Sequence, residues 1–231
     1  MAKKSYNQLC PIAYALDRIG ERWTLLILRE LLFGPRRFKD LQSGLPGIGT
    51  NLLSKRLKDL ESEGITRRRL LPPPAGAAVY ELTPLGEALR PVLDELAGWG
   101  LRFLSEASEQ DSLGVVSVMG SLYMLFRRGE EHGGGTKTDI ECEIRVSDEV
   151  FHLHLGEASI SVDQGPSERP DIVMASGPRE LLGLLGNPQA LLQEIEHGGL
   201  TVLKGSRDAV ADLFSRFMSL EDAVHSDGPK A

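Results

Sequence analysis

The segment that most restricts the fold of this chain is residues 49–63. Leu53, Leu57 and Leu60 recur there at helical spacing and Gly64 stops the run, so it reads as an amphipathic helix with one apolar stripe. A short helix over 37–43 precedes it, and Gly44-Leu45-Pro46-Gly47 makes the turn between them. Two helices joined by a short glycine-containing turn form a helix-turn-helix, whose second helix enters the major groove of DNA. Upstream, Pro11 opens a helix with Ile12, Leu16 and Ile19, and residues 23–33 form an apolar helix closed by Gly34-Pro35. Downstream, 66–71 and 78–82 read as strands joined by Pro72-Pro73-Pro74-Ala75-Gly76, a hairpin with a stiff tip. Thr83 then caps one long helix. Its Leu85, Leu89, Val92, Leu96, Trp99 and Phe103 continue on a 3.6 period, an apolar face larger than a small monomer needs.

On the helix 49–63, steps of 100° from Leu53 put Leu57 and Leu60 within about 40° of the core direction. Asn51, Ser54, Lys55 and Lys58 fall on the other side, and these residue types bond base edges or phosphates. Thr50 lies at the helix start, also in reach of DNA. Arg56 lies beside the core face, where it is expected to clamp a phosphate. Arg36 and Arg37 stand at the start of the preceding helix, where phosphate contacts are expected. Arg67 and Arg69 share one face of a strand, and a wing carrying them would probe the minor groove or its phosphates. Charge agrees with this placement. The net charge is −7, but residues 1–105 hold 16 Lys+Arg against 11 Asp+Glu and residues 106–231 hold 10 against 22. The basic front suits phosphates and the acidic back does not.

The charge change coincides with a polar stretch at 105–112. Residues 1–105 are therefore read as a DNA-binding and dimerisation domain, 113–222 as a second domain, and 223–231 as a disordered tail. The back half alternates types: helix over 115–128, strands over 140–146, 150–155, 158–162 and 171–175, helices over 178–185 and 188–197, a strand at 200–203 and a helix over 207–220. That is an α+β domain with a meandering sheet. Two cysteines, Cys10 and Cys142, match no metal-ligand spacing and fit a reducing, cytoplasmic setting. The first residues lack the apolar stretch of a secretory signal, and no apolar run is long enough for a membrane span. His152 and His154 share a strand face without an evident third ligand, so no metal is expected. No nucleophile elbow, phosphate loop or paired-carboxylate motif stands out. Neither an enzyme nor a cofactor is expected.

From Cys10-Pro11 to Trp99-Gly100 the chain resembles the HxlR family of winged-helix regulators. The matching motifs are Cys10-Pro11, Ile19-Gly20, the run from Arg22-Trp23 to Arg29, Gly34-Pro35-Arg36-Arg37-Phe38, Leu45-Pro46-Gly47-Ile48, Leu53-Ser54-Lys55-Arg56-Leu57, Tyr80-Glu81-Leu82-Thr83 and Gly86. The resemblance implies a transcription regulator that binds double-stranded DNA as a homodimer, joined through its terminal helices. The wing tip, residues 72–78, departs from the family pattern. It is richer in Pro and Ala and lacks the charged residue often found near the second strand. That leaves Arg67 and Arg69 as the expected wing contacts. Some members use the cysteine at the position of Cys10 to sense oxidants. A thiol at a helix start favours the thiolate, so a redox-responsive regulator is an alternative reading.

Residues 115–220 resemble, in pattern, the sterol carrier protein type 2 fold. The pattern is the strands near 151–155 and 158–162, Pro170-Asp171-Ile172-Val173, a Leu-rich helix, Leu200-Thr201-Val202-Leu203-Lys204-Gly205 and a closing helix. That fold often holds an apolar tunnel, which makes an apolar small-molecule effector an expected partner. Leu181, Leu184, Leu185, Leu191, Leu192, Ile195, Phe214 and Phe217 are the candidate lining residues. A lipid or acyl carrier that uses its front half for dimerisation is the other alternative.

Overall fold

The computed structural model describes residues 5–72, 76–106, 111–131, 139–156, 159–186, 190–217 and 222. Parts of the wing tip, the polar stretch at 105–112, the Gly-rich segment at 132–138, the expected helix start at Pro188 and the tail from 223 lie outside these residues. Two compact units meet at Leu93/Asp94, upstream of the polar stretch where the sequence places the boundary. Among the described residues no helix is long and apolar enough to cross a membrane.

The first unit is a winged helix-turn-helix. Helix α1 (Pro11–Ile19) starts on Pro11, whose missing N–H costs nothing at that position. It buries only Ala13 and Ile19, leaving Ile12 and Leu16 exposed. Helix α2 (Thr24–Leu31) buries Ile27, Leu28 and Leu31. Arg36–Arg37 is extended as the two-residue strand β1 rather than helical, and helix α3 (Phe38–Gly44) begins after it. Helix α4 (Thr50–Ser62) runs into the hairpin of β2 (Thr66–Leu70) and β3 (Ala78–Leu82). The three strands order β1-β3-β2, all antiparallel.

The long helix expected after Thr83 is broken. Thr83 caps as expected, its Oγ1 accepting from the Gly86 N–H at 3.3 Å. The helix stops as α5 (Pro84–Glu87) and restarts as α6 (Arg90–Gly100), followed by a 3-10 turn over Leu101–Glu106. Pro91 explains the break: it has no N–H for the carbonyl four residues back, and its ring clashes with that carbonyl. Gly86 is needed here because a Cβ would lie 2.3 Å from the Ile65 carbonyl oxygen.

The second unit is a five-stranded sheet with helices. Its strands are β4 (Ile140–Val146), β5 (Glu149–Leu155), β6 (Ile160–Gln164), β7 (Ile172–Ser176) and β8 (Leu200–Lys204). They order β6-β5-β4-β7-β8. The expected meander holds only for β4-β5-β6, because β7 lies parallel to β4. Parallel strands need a crossover, and the chain makes it between β6 and β7. Ile140, Cys142, Ile144 and Val146 alternate inward with Phe151, Leu153 and Leu155, the period of a strand with one buried face. Helices α7 (Val115–Glu131), α8 (Pro178–Gly186), α9 (Leu191–His197) and α10 (Arg207–Ser215) complete the unit. Met119, Leu122, Leu125 and Phe126 of α7 are buried, as are Leu181, Leu184 and Leu185 of α8. Burial also pushes the Cys142 thiol up, so it stays protonated.

Candidate nucleic-acid interface

Helix α4 is fixed from beneath. Leu53, Leu57 and Leu60 are essentially inaccessible, each contributing about 1.5–3 kcal/mol by leaving water. The turn before it is pinned by buried Leu45 and Ile48, with the Ile48 N–H donating to the Leu45 carbonyl at 3.1 Å. Gly47 takes φ 93° there, a conformation that favours glycine. Gln42 of α3 donates to the Thr50 hydroxyl at 2.9 Å and ties the two helices together. With the stripe fixed inward, the opposite side faces outward: Thr50, Asn51, Lys55 and Lys58 are exposed and Ser54 is half-buried. Lys55 and Lys58 make no ion pair among the described residues, so both charges are available to an anion.

Two of the expected phosphate contacts are withdrawn from the surface. Arg56 is 8 % exposed. Its Nη2 pairs with Glu21 at 2.6 Å, its Nη1 with Asp59 at 3.3 Å, and its Nε donates to the Arg22 carbonyl at 3.3 Å. It tethers α4 to the turn between α1 and α2 instead of clamping a phosphate. Arg36 is 4 % exposed in β1, opposite Tyr80. Pairing with β3 turns its side chain inward, while the next residue, Arg37, remains exposed.

On the wing, Arg67 stands directly across from Glu81 in the β2–β3 register, and Arg69 two residues on. Arg67 donates through Nε to Glu81 Oε1 at 2.7 Å. Arg69 donates to Oε2 through Nε at 2.9 Å, and its Nη2 lies 2.8 Å from the same oxygen in the ion pair. The Arg69 hydrogen bond, opposed by burial and aided by Arg67, holds the Glu81 carboxyl below the usual carboxylate range. Glu81 was not among the residues expected from sequence, although it lies in the Tyr80-Glu81-Leu82-Thr83 motif. Two further exposed cations, Arg68 on the opposite strand face and Lys39 on α3, lie outside the residues expected from sequence. Neither makes an ion pair among the described residues. The alternation that groups Arg67 with Arg69 is what set Arg68 aside.

The other expected sites lie apart from this surface. Cys10 is free and half-buried, in extended backbone just before α1. In the second unit, Leu181, Leu184, Leu185, Leu191, Phe214 and Phe217 are buried, Ile195 is half-buried, and Leu192 is exposed on the outside of α9. Leu192 therefore does not line the interior. Phe217 packs against Phe126 at 5.7 Å and Phe214 at 6.0 Å between ring centroids, as core aromatics do. His152 and His154 both meet one carboxylate, Glu141, the latter at 2.9 Å.

Residues 18–108 match the model of the HxlR-like helix-turn-helix family. The HTH-type transcriptional regulator YodB of Bacillus subtilis is 38% identical over 98 residues, 42% of this chain and 88% of the relative. An uncharacterized HTH-type transcriptional regulator of the same organism, YvaP, is 36% identical over 99 residues, 42% of this chain and 92% of the relative. Among solved structures, the reduced form of YodB is 35% identical, covers 44% of this chain and 100% of its own, and superposes with a TM-score of 0.38.

Proposed function

The chain belongs to the HxlR-like helix-turn-helix family, and from that membership we infer that it is a dimeric, sequence-specific regulator of transcription that acts on double-stranded DNA and not as an enzyme. The observation that carries this reading is the outer face of α4. Asn51, Lys55 and Lys58 stand clear of protein there, above a buried leucine stripe and next in the chain to a wing bearing Arg67, Arg68 and Arg69. Amide and ammonium groups on a groove-sized helix read base edges and phosphates. Arg37 and Lys39 extend the basic surface at α3.

Dimerisation is supported by apolar side chains left in water at the helical ends of the DNA-binding part. Ile12 (70 %) and Leu16 (41 %) on α1, and Val92 (52 %), Leu96 (44 %) and Trp99 (55 %) on α6, are exposed. Exposed apolar side chains in series along a helix mark that helix for association. The second unit takes the part of a sterol-carrier-like domain that binds an apolar effector or aids assembly. What supports that is its element order of strands, Leu-rich helices, strand and closing helix, together with its Leu and Phe interior. The excess of acidic residues after position 106 suits this half to a role away from DNA.

Fluorescence anisotropy with the DNA flanking its own gene, titrated against salt, tests the reading. A specific complex whose affinity falls steeply with salt is expected. Equal, salt-insensitive binding to every duplex tried refutes it.

A further inference from the structure

We propose that Glu81 is a positioning residue for DNA binding, holding Arg67 and Arg69 side-on so that both guanidinium groups present their free edges as paired phosphate clamps. This rests on the DNA-binding reading above. Three features of the wing carry it.

The first is the division of labour at the carboxylate. Each Glu81 oxygen serves one arginine: Oε1 takes Arg67 at 2.7 Å, and Oε2 takes Arg69 through Nε at 2.9 Å and Nη2 at 2.8 Å. The second is which donors are used. A guanidinium has five N–H groups in a planar fork. Among the described residues Arg67 engages only Nε, so neither of its Nη groups has a partner there. Arg69 turns its Nε/Nη2 side to the carboxylate, and among the described residues its Nη1 has no partner. The end of each fork, the edge suited to bidentate phosphate binding, is therefore unoccupied among the described residues. The third is exposure. The Glu81 side chain is 11 % exposed, whereas Arg67 and Arg69 are 62 % and 45 % exposed. The carboxylate is the buried base and the guanidinium groups are the outward members. Ordering two long side chains before DNA arrives removes part of the entropy that binding must otherwise overcome.

The proposal makes a prediction opposite in sign to simple electrostatics. Removing a negative charge from a protein that binds a polyanion should raise affinity and steepen the salt dependence. If Glu81 positions the clamps, Glu81→Gln should instead lower affinity, about fivefold, and flatten the log–log salt slope by about 1 as a phosphate contact is lost. Glu81→Asp keeps the charge but withdraws the carboxylate by one methylene, so it should weaken binding in the same direction. In an Arg67→Ala/Arg69→Ala background neither change should weaken binding.

The experiment is anisotropy titration of the full chain and these variants on one duplex at several salt concentrations, with thermal melts to show that each is folded. Weaker binding and a flatter slope for either folded Glu81 variant, abolished in the double-alanine background, is the expected result. Equal or tighter binding by the folded Glu81 variants overturns the proposal while leaving DNA binding intact. So does a weakening that persists without the arginines. If the unaltered chain forms no salt-sensitive complex, the DNA reading itself fails and the proposal falls with it.

Discussion

Arg56 and Lys58 are two residues apart on α4, both basic, and the structure gives them different work. Arg56→Ala should lower stability and leave the salt dependence of DNA binding unchanged. The two ion pairs it loses have exposed acidic partners, Glu21 at 59 % and Asp59 at 54 %, so each is worth about 0.2–1 kcal/mol. The hydrogen bond to the Arg22 carbonyl and the buried stem add about 1 kcal/mol. The sum is about 2 kcal/mol, which for a domain of this size lowers the melting temperature by about 8–16 °C. Lys58→Ala removes an exposed side chain, which costs less than about 0.5 kcal/mol of stability but flattens the log–log salt slope by about 0.9. Calorimetry and salt-dependent anisotropy on the two variants read these effects separately. An Arg56→Ala variant that melts like the unaltered chain but has a flatter salt slope would show that Arg56 reaches a phosphate and is not the tether of α4.

Three further outcomes follow from the same geometry. Lys55→Ala should weaken binding to the preferred site by about 1–3 kcal/mol with a smaller effect on random duplex, read as a drop in the specificity ratio. Trp99→Ser should shift sedimentation equilibrium toward the monomer, since it takes an exposed aromatic from the proposed association face; an unchanged dimer would place the interface elsewhere. Because the folded-state pKa of Glu81 is lowered, its contribution to stability is present above the unfolded carboxylate value of about 4.3 and is lost as pH falls through the folded value. The stability gap between the unaltered chain and Glu81→Gln, measured by urea unfolding, should therefore be widest above about pH 5 and close in acid. A gap that widens on acidification contradicts the pairing.

Elements set by local period were legible in the sequence: α4, the hairpin, and the alternation along β4 and β5 all follow from apolar spacing. What escaped depended on residues far apart in the chain. Arg56 lies next to the core stripe by helical geometry, but Glu21 and the Arg22 carbonyl, some thirty-five positions earlier, decide that it turns inward. Arg36 looked like a helix start because nothing local reveals that β3 will pair with it. The parallel contact of β4 with β7 is likewise a long-range choice. Pro91 is different. It stands in plain view, and the apolar period running through it concealed a backbone that cannot continue. The exposed face of α4 follows from its leucine spacing, but the pairing of Glu81 with Arg67 and Arg69 depends on cross-strand register.

The separation of the two sides of α4 has an evolutionary consequence. Apart from the Gln42–Thr50 hydrogen bond at its start, what holds the helix in place, Leu53, Leu57, Leu60 and the Arg56 tether, lies on one side. The side chains that would read DNA bear almost none of that burden. Asn51, Lys55 and Lys58 can then be exchanged for other polar residues at small cost to the fold. Operator preference is free to drift, or to be redirected by substituting a few positions, while the scaffold stays the same.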